Sequence, residues 1–372
     1  MSDNNFRDQV IRAYLNNSIT EYALQQINSL SESYSGHPLL GTLALSQLQK
    51  EKTENNTQKA SCEKNKSSLS AYPKVSFIVP THNRVQLLPK CLDSILSQNY
   101  PNIEIIVIDD CSNDTTEDCM KTRYASKANI IYVRNEQNLG PGGNRQKAYQ
   151  LLSGDFVVFT DDDDFYFEPT FIDAAIKIFM EYENVGMVCA NSIIYNVVAK
   201  QLSFHSLTYL GELTGKDFFL GFRTKYRKPN STFPTVFRKS VLDNAGFKDM
   251  WMMNDTSIYL RAACFGDVYM MNQWVGTYLV HDSNISKALP HKFILENLDE
   301  KATIYSIAQS QFGTDLDDWY YSQLVDTIIY YLKSDRISFF NFCSLLKWCA
   351  SNGKGQKKQL IKAVIATKKS CK

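Results

Sequence analysis

The sequence predicts an α/β protein with a mostly parallel sheet, helices on its faces and helical extensions at both ends. Short apolar runs alternate with segments of helical spacing after Lys74, whereas helical spacing dominates before residue 50 and after about residue 290. Hydrophobic residues make up 44% and charged residues 21%, as in globular proteins. Because strands that alternate with helices pair in parallel through right-handed crossovers, the central region should form a covered sheet.

The predicted elements of the central region follow one another in a regular order. The strands are VSFIV at 75–79, IEIIVI at 103–108, and the runs at 130–133 and 156–159. The helices lie near 84–98, 115–126 and 143–153. Helical spacing at 293–312, 316–332 and 339–349 then predicts a separate helical region.

Composition divides the chain into four parts. We assign 1–50 as an N-terminal helical segment, 51–72 as a polar linker, 73–288 as the α/β domain and 289–372 as a C-terminal helical region with a basic tail. The linker is rich in Asn, Lys and Ser, which bury too little apolar surface to offset the entropy of ordering. For the N-terminal helices we predict contacts with a partner or with a second copy in a homo-oligomer.

The basic tail has seven lysines and no acidic residue in its last twenty positions. A helix there places Leu360, Ile361, Val364 and Ile365 on one face beside several lysines, a pattern that suits peripheral contact with an anionic membrane. A solvated, frayed terminus is the alternative.

Charge and cysteine usage narrow the class of protein. A formal net charge of +1 argues against nucleic acid as a partner, since nucleic-acid-binding domains are strongly basic. The nine cysteines form no CxxC pair, which predicts reduced thiols in a cytosol. The N-terminal MSDNNFRDQV does not resemble a signal peptide and no long apolar run follows, so we expect a cytoplasmic protein.

Carboxylates stand where two of the predicted parallel strands end. Asp109 and Asp110 follow the second strand, and four consecutive aspartates at 161–164 follow the fourth. Ligands bind beyond the carboxyl ends of parallel strands, and adjacent carboxylates repel one another unless a cation such as Mn²⁺ or Mg²⁺ neutralises them. The alternative for 161–164 is a solvated turn that caps the next helix.

Other ligand-binding motifs do not fit these residues. An EF-hand needs Gly after the aspartate run, where this chain has Phe165. No GxxxxGK[ST] loop is present, and the glycine-rich segment NLGPGGNR at 138–145 fails GxGxxG. These mismatches argue against a P-loop and against a dinucleotide site.

Five segments together resemble family 2 glycosyltransferases of the GT-A fold: KVSFIVPTHNR, LSQNYPN, IEIIVIDDCSND, NEQNLGPGGNR and FVVFTDDDDFY. The resemblance spans about 74–285 and is most specific in its first half. It implies a Rossmann-like GT-A domain over 73–288. It also implies metal-dependent, inverting transfer of a hexosyl or N-acetylhexosaminyl group from a UDP-linked donor to a glycan or lipid-linked acceptor in bacterial surface polysaccharide synthesis.

The resemblance assigns roles to the residues at the strand ends. Pro80, Thr81 and Asn83 would line the nucleotide pocket, Asp110 would accept a hydrogen bond from the imide of the base, and Arg145 would approach the diphosphate. The alternatives are an Asx turn or helix cap for Asp110 and an exposed helix position for Arg145.

The aspartate run matches the DxD motif of the family in more than one register. Asp161 and Asp163 fit the motif directly, with carboxylates that reach the ribose and the metal, but a shift by one would make Asp162 or Asp164 the ligand. We assign Asp161 and Asp162 to the nucleotide-sugar and Asp163 to the metal. His281 stands where some members place a metal-binding histidine, with a plain loop histidine as the alternative.

The segment GFKDMWMMNDTSIYLRAACFGDV resembles the family's segment in which an acidic pair opens a helix. Asp255 takes the catalytic position, and Asn254 replaces the more usual Glu. An inverting transfer needs one general base to take the proton of the attacking hydroxyl, so Asp255 suffices; a helix cap is the alternative. Trp251 is a candidate platform for the acceptor sugar, with core packing as the alternative.

Two other functions stay open on the sequence. A sugar-1-phosphate nucleotidyltransferase of related fold would show a Gly- and Arg-rich loop with a lysine after the first strand, which PTHNRVQ does not resemble. A catalytically silent binding module is disfavoured, because carboxylates occupy all three expected places.

Overall fold

The computed structural model describes residues 3–16, 18–35, 39–40, 48, 72–281, 290–334, 337–353 and 356–370. The predicted linker lies outside these residues except for Tyr72. The central region forms the predicted α/β domain, and helices precede and follow it in the chain. Within the described residues, no helix is long and apolar enough to cross a membrane.

One mixed sheet is the frame of the domain. In chain order its strands are β1 (Val75–Thr81), β2 (Ile103–Asp109), β3 (Ile130–Arg134), β4 (Phe156–Phe159), β5 (Phe165–Tyr166), β6 (Val185–Asn196), β7 (Gln201–His205), β8 (Gly211–Leu213), β9 (Thr235–Arg238) and β10 (Asp267–Val280). Across the sheet the order is β3-β2-β1-β4-β9-β6-β10-β5, with β7 beside β6 and β8 beside β10.

The first half of the sheet is parallel, as predicted. β1 pairs in parallel with β2 and β4, and β2 pairs in parallel with β3. β6 and β10 are also parallel, whereas β9 enters antiparallel between β4 and β6. The predicted fold class is therefore confirmed, and the antiparallel strands all come after β4 in the chain.

Helices pack on the sheet and extend the domain at both ends. They are α1 (Asp3–Leu15), α2 (Glu21–Ser35), α3 (Leu88–Leu96), α4 (Thr116–Arg123), α5 (Gly140–Tyr149), α6 (Phe171–Glu181), α7 (Gly215–Leu220), α8 (Lys239–Asn244), α9 (Asp255–Ala263), α10 (His291–Phe312), α11 (Asp317–Ser334), α12 (Phe339–Asn352) and α13 (Lys357–Ser370). A short 3₁₀ turn at Phe247–Asp249 precedes α9.

The central strands supply side chains to two apolar cores, one on each face of the sheet. Ile78 and Phe159 pack with α5 and with the C-terminal helices in one core. Phe77 and Val158 pack with α3 and α6 in the other. Burial on both faces explains why these strands are mostly apolar in the sequence.

The N-terminal helices pack against the same domain. Val10 of α1 and Ile27 of α2 share a buried cluster with Trp274 of β10. The Trp274 amide donates to the Ser18 carbonyl at 3.0 Å, and the Thr20 hydroxyl donates to Glu168 Oε2 at 2.7 Å. These helices therefore have a packing role within the chain, and the predicted homo-oligomer stays a prediction.

The C-terminal helices join the core through a buried ion pair. Arg261 of α9 donates to both carboxylate oxygens of Glu300 on α10, at 2.6 and 2.8 Å, and a third bond goes to the Ala245 carbonyl at 3.0 Å. Separating α10 from α9, the helix that begins at Asp255, would leave each charge without its partner. The ion pair therefore favours the packing of α10 against α9.

The apolar face of α13 packs inside the helical region. Leu360 and Val364, which the sequence placed on a membrane-facing side, are each only 1% exposed and belong to the core. These two residues are therefore not available to a membrane, whereas Ile365 of the same helix is 37% exposed. Peripheral contact with a membrane through the basic tail stays a prediction.

Lys301 on α10 is a buried amine that should make the stability of the fold depend on pH. Burial lowers its pKa to about 7, and its Nζ donates to Gln323 Oε1 at 3.2 Å. An unfolded lysine keeps its proton to about pH 10, so above the folded pKa the unfolded chain binds more protons. The free energy of unfolding should therefore rise by about 2 kcal/mol between about pH 7 and pH 9.

The Lys301→Met variant should lose this rise, since methionine does not titrate. Urea unfolding at several pH values measures the slope for each protein. Lys292→Met, at an exposed position of the same helix, is the matched control and should keep the rise. The same slope in Lys301→Met as in the wild type would show that another group causes it.

Candidate functional site

Three neighbouring parallel strands bring the predicted site residues to one edge of the sheet. Thr81 of β1 lies opposite Asp109 of β2, and Ile78 lies opposite Phe159 of β4. The residues that follow these strands therefore meet beyond the carboxyl ends, where open α/β sheets bind ligands. His281, after β10, reaches the same place, with Nε2 2.9 Å from Asp163 Oδ2.

The loops after β1 and β2 interlock. Asn83 and Cys111 both have positive φ angles, 54° and 63°. The Asn83 amide donates to the Ser112 hydroxyl at 2.9 Å, and its side-chain Oδ1 accepts from the Asn113 amide at 2.7 Å. Non-glycine residues with positive φ are uncommon and are found more often at functional sites. The nucleotide pocket assigned to Pro80, Thr81 and Asn83 stays a prediction.

Asp110 is buried and anchors the start of α5. Its Oδ1 accepts from the Leu139 amide at 2.7 Å and from Asn135 Nδ2 at 3.0 Å, and its Oδ2 accepts from the Gly140 amide at 2.9 Å. Asp110 therefore caps a helix, but that helix is α5, which begins about thirty residues later in the chain. The Ser112 amide donates to Asp109 at 2.9 Å and not to Asp110. The contact between Asp110 and a nucleotide base stays a prediction.

Arg84 ties two of the four aspartates to the first loop. Its Nη1 donates to Asp162 Oδ1 and to Asp163 Oδ2, both at 3.0 Å, and Thr81 Oγ1 donates to Asp162 Oδ2 at 2.7 Å. Burial raises the pKa of Asp162 to about 7, although the Arg84 charge opposes the rise. Arg84 therefore supplies part of the counter-charge that the sequence assigned to a metal alone.

The other three aspartates form a cluster that fits a divalent cation. One oxygen from each of Asp161, Asp163 and Asp164 lies within 4.8 Å of the others. Burial raises the pKa of Asp163 and of Asp164, and neighbouring carboxylates raise both further. Among the described residues, Asp164 Oδ1 is buried without a hydrogen-bond partner, which is costly for a carboxylate. Oxygen donors with an unpaired, buried member suit Mn²⁺ or Mg²⁺.

Arg145 is buried and links this cluster to the segment before α9. Its Nη2 donates to Asp161 Oδ1, and its Nη1 donates to the Met253 carbonyl at 2.7 Å. The same Nη1 lies 4.0 Å from Asp255 Oδ1. An exposed helix position is therefore wrong for Arg145, whereas its approach to a diphosphate stays a prediction.

Asp255 is the first residue of α9, and its neighbour Asn254 caps the helix. Asn254 Oδ1 accepts from the Ser257 amide at 3.0 Å, so the capping role considered for Asp255 belongs to Asn254. The Asp255 side chain keeps 31% of its surface exposed. Burial raises its pKa, with Lys228 and Arg145 opposing the rise. An accessible carboxylate with a raised pKa suits a general base.

Replacing Asn254 with Ala should lower the free energy of unfolding by about 1 kcal/mol, because α9 loses its N-cap. Denaturant titration measures the change. Asn254→Ser keeps a side-chain oxygen at the cap and should recover most of the loss. Equal stability of Asn254→Ala and the wild type would show that the cap contributes nothing.

Trp251 lies over the glycine-rich first turn of α5 and is 48% exposed. A Cβ added at Gly142 would come within 2.2 Å of the Trp251 carbonyl oxygen, and one at Gly143 would lie 2.8 Å from the indole ring. The neighbouring methionines at 250, 252 and 253 are buried. The methionines therefore pack in the core, whereas Trp251 does not. The contact of Trp251 with an acceptor stays a prediction.

Sequence reasoning missed two cations of the site. Arg84 stands in a quoted motif, but nothing local shows that it reaches aspartates almost eighty residues later. Lys228 lies in a segment without a sequence signal; its Nζ donates to the carbonyls of Pro229 and Asn230 at 2.9 and 3.2 Å. Burial lowers the pKa of Lys228, and the Asp255 charge opposes that shift.

Residues 76–246 match the family model described as glycosyl transferase family 2. The chain is 33% identical over 194 residues to GalNAc(5)-diNAcBac-PP-undecaprenol beta-1,3-glucosyltransferase of Campylobacter jejuni, which covers 51% of this chain and 59% of that protein. It is 36% identical over 118 residues to poly(ribitol-phosphate) beta-N-acetylglucosaminyltransferase TarS of Staphylococcus aureus, covering 31% of this chain and 20% of that protein. The chain thus matches only part of the length of these curated relatives.

Solved structures agree with the fold. The crystal structure of residues 1–349 of S. aureus TarS superposes with a TM-score of 0.57 at 16% identity, over 80% of this chain and 90% of that one. The same fragment in complex with UDP-GlcNAc gives a TM-score of 0.53 at 17% identity, again over 80% of this chain and over 91% of that one. At this level of identity, the likeness shows a shared GT-A fold.

Proposed function

We propose that this chain, whose residues 76–246 match glycosyl transferase family 2, is a glycosyltransferase that transfers a sugar from a nucleotide-sugar donor to an acceptor hydroxyl. The observation that carries the proposal is the meeting of the acidic cluster, Arg145 and Asp255 at the ligand-binding edge of the sheet. By their names, the C. jejuni and S. aureus relatives transfer glucose and N-acetylglucosamine. A hexosyl or N-acetylhexosaminyl group is therefore the proposed cargo.

The proposed donor is UDP-linked. TarS, which shares the fold, has been crystallised with UDP-GlcNAc and with UDP. In this chain Asn83 joins the loops after β1 and β2, and the Asp110 amide donates to the Thr81 carbonyl at 2.9 Å. Pro80, Thr81, Asn83 and Asp110 would then line the pocket for the base and the ribose. Arg145 and the aspartates beyond β4 lie where the diphosphate would follow.

A divalent metal is the proposed cofactor, held by Asp161, Asp163 and Asp164 with His281 against Asp163. The unpaired Asp164 Oδ1 supports this donor set, and Asp162 is instead held by Thr81 and Arg84. A bound Mn²⁺ or Mg²⁺ would neutralise the diphosphate and so help it to leave. Arg145 adds positive charge beside Asp161, and Lys228 lies near Asp255.

Asp255 is the proposed general base of an inverting transfer. Its carboxylate takes the proton of the acceptor hydroxyl while that oxygen bonds to the anomeric carbon. The bond from the anomeric carbon to the diphosphate breaks on the opposite face, so the configuration inverts and a nucleoside diphosphate departs. The Nη1 of Arg145, 4.0 Å from Asp255 Oδ1, holds the base beside the donor site.

The proposed acceptor is a glycan or lipid-linked sugar in bacterial surface polysaccharide synthesis, with the exposed Trp251 as its platform. The names of the relatives, which act on an undecaprenol-linked glycan and on poly(ribitol-phosphate), support this class of acceptor. Cytoplasmic location, with the protein at the periphery of a membrane, belongs to the same proposal. The relatives described above are glycosyltransferases, which favours this function over a nucleotidyltransferase.

Calorimetric titration with UDP, GDP and CDP, each with Mn²⁺ and with EDTA, tests the donor site without an acceptor. We expect UDP to bind most tightly, and its affinity to fall by about tenfold or more when EDTA removes the metal. Equal affinity for all three nucleotides would contradict the UDP assignment. No binding of any nucleotide in the presence of metal would contradict the transferase itself.

A further inference from the structure

The charge of the chain is unevenly distributed. Residues 337–372 contain eight of the 40 basic residues, all lysines, and none of the 39 acidic residues. This segment therefore carries a formal charge of +8, which leaves −7 for residues 1–336 of a chain whose total is +1. A local field of this kind attracts an anionic surface that the rest of the molecule would repel.

Two adjacent phenylalanines of this basic segment have exposed side chains. Phe339 and Phe340 open α12 and are 75% and 83% exposed. Exposed pairs of large aromatic side chains are costly in water, and their rings suit the boundary between lipid headgroups and acyl chains.

On both α12 and α13, exposed lysines lie on the same face as exposed apolar side chains. Phe340 and Lys347 are seven residues apart on α12, and both are exposed. Lys358, Lys362 and Ile365 of α13 follow the same spacing and are exposed as well. Each helix thus presents apolar and basic side chains together on its outer face.

The two helices that carry these faces contact each other. Lys368 Nζ donates to the Ile337 carbonyl at 3.3 Å and lies 5.9 Å from the Phe342 ring centroid, so the end of α13 contacts the start of α12. The inner faces are fixed by Leu345 of α12 and by Leu360 and Val364 of α13, which are buried in the core. Both helices are therefore packed on the protein, and their outer faces are left exposed.

We infer that the surface formed by Phe339, Phe340, Lys347, Lys358, Lys362 and Ile365, here called the Phe–Lys surface, binds an anionic lipid bilayer. The aromatic pair enters the headgroup boundary while the lysines contact acidic headgroups. A second copy of the chain fits less well, because a two-fold contact would bring two acid-free, lysine-rich faces together.

Cosedimentation with vesicles tests the inference without any sugar substrate, so its outcome is independent of the proposed transfer reaction. The full chain is mixed with vesicles of phosphatidylcholine or of phosphatidylcholine and phosphatidylglycerol in equal parts. We expect binding to the anionic vesicles only, and weaker binding as salt is added. Binding to both kinds of vesicle alike, or to neither, would overturn the inference.

Variants separate the apolar from the basic contribution. Phe339→Ala/Phe340→Ala should lower the partition coefficient by about tenfold or more, and Lys358→Gln/Lys362→Gln by about fivefold for each lysine. Val198→Ala/Lys127→Gln changes an exposed valine and an exposed lysine of the α/β domain and should bind as the wild type does. The inference fails if the phenylalanine variant partitions like this control. It also fails if sedimentation without lipid shows a wild-type dimer that the phenylalanine variant dissociates while vesicles bind neither protein.

Discussion

Asp255→Asn should lower the turnover of sugar transfer by about 10²- to 10⁴-fold while the affinity for nucleotide stays unchanged. The amide keeps the shape of the side chain but cannot accept the proton of the acceptor hydroxyl. Asp255 opens α9 beside Arg145 and not within the strand-end loops that would hold the nucleotide, so binding should survive. Steady-state transfer and calorimetric titration of the nucleotide measure the two quantities separately.

The pH profile gives a second readout of the same base. Because burial raises the pKa of Asp255, the acidic limb of kcat/KM should lie above the value of about 3.9 for an ordinary aspartate. Asp249→Asn, an exposed carboxylate in the 3₁₀ turn shortly before α9, is the matched control and should leave rate and profile unchanged. Full activity of Asp255→Asn on a working acceptor would exclude Asp255 as the base.

Asp163→Asn should lower metal-supported turnover by about 10²-fold or more and weaken the binding of Mn²⁺ to the free protein. Asp163 contacts both Arg84 and His281 and shares the acidic cluster with Asp161 and Asp164, so its replacement removes one of the three clustered carboxylates. Mn²⁺ binding, followed by electron paramagnetic resonance, reports on the site even without a known acceptor.

The same substitution should not destabilise the metal-free protein. Burial and the Asp161 charge raise the pKa of Asp163, which means that its ionised form is disfavoured in the fold. An uncharged amide relieves that cost, so the thermal midpoint in EDTA should stay the same or rise. Asp118→Asn, on the exposed face of α4, is the control for removing one carboxylate. A large fall in the midpoint, with metal binding intact, would make Asp163 a structural residue.

The strands that carry the site could be predicted because they are buried on both faces. β1, β2 and β4 are mostly apolar, and each begins within a residue of its predicted position. The antiparallel strands after β4 have no comparable signal, since their pairing depends on distant partners such as β9 with β6. Local sequence patterns do not contain that information.

The start of α5 shows why part of the site escaped the sequence. The segment LGPGGNR suggests a loop, yet the helix begins at Gly140, with Pro141 in its first turn, where proline is tolerated. The stabilising contact is Asp110, a carboxylate thirty residues earlier that accepts from the Gly140 amide. The glycines that follow are required by the Trp251 segment, which packs directly on them. The start of α5 thus depends on contacts with residues that are distant in the sequence, which a local pattern does not show.

The identities of the acidic residues were easier to predict than their partners. The family resemblance indicated Asp163 and Asp255, and the structure brings their surroundings together through Asp161 and Arg145. The resemblance could not indicate that Arg84 binds both Asp162 and Asp163, or that Lys228 lies near the proposed base. Long-range ion pairs are set by tertiary packing, so a single sequence leaves them undetermined.

A donor panel tests the central claim most directly. UDP-glucose, UDP-galactose and their N-acetyl forms are each incubated with the full chain, Mn²⁺ or Mg²⁺ and a lipid-linked sugar acceptor, and release of UDP is followed against the Asp255→Asn variant. We expect one donor to turn over with metal and the reaction to stop when EDTA is added. With that donor, the variant should release UDP at least about 10²-fold more slowly than the wild type. Nucleotide release from no donor with metal present, or equal release by the variant, would contradict the account.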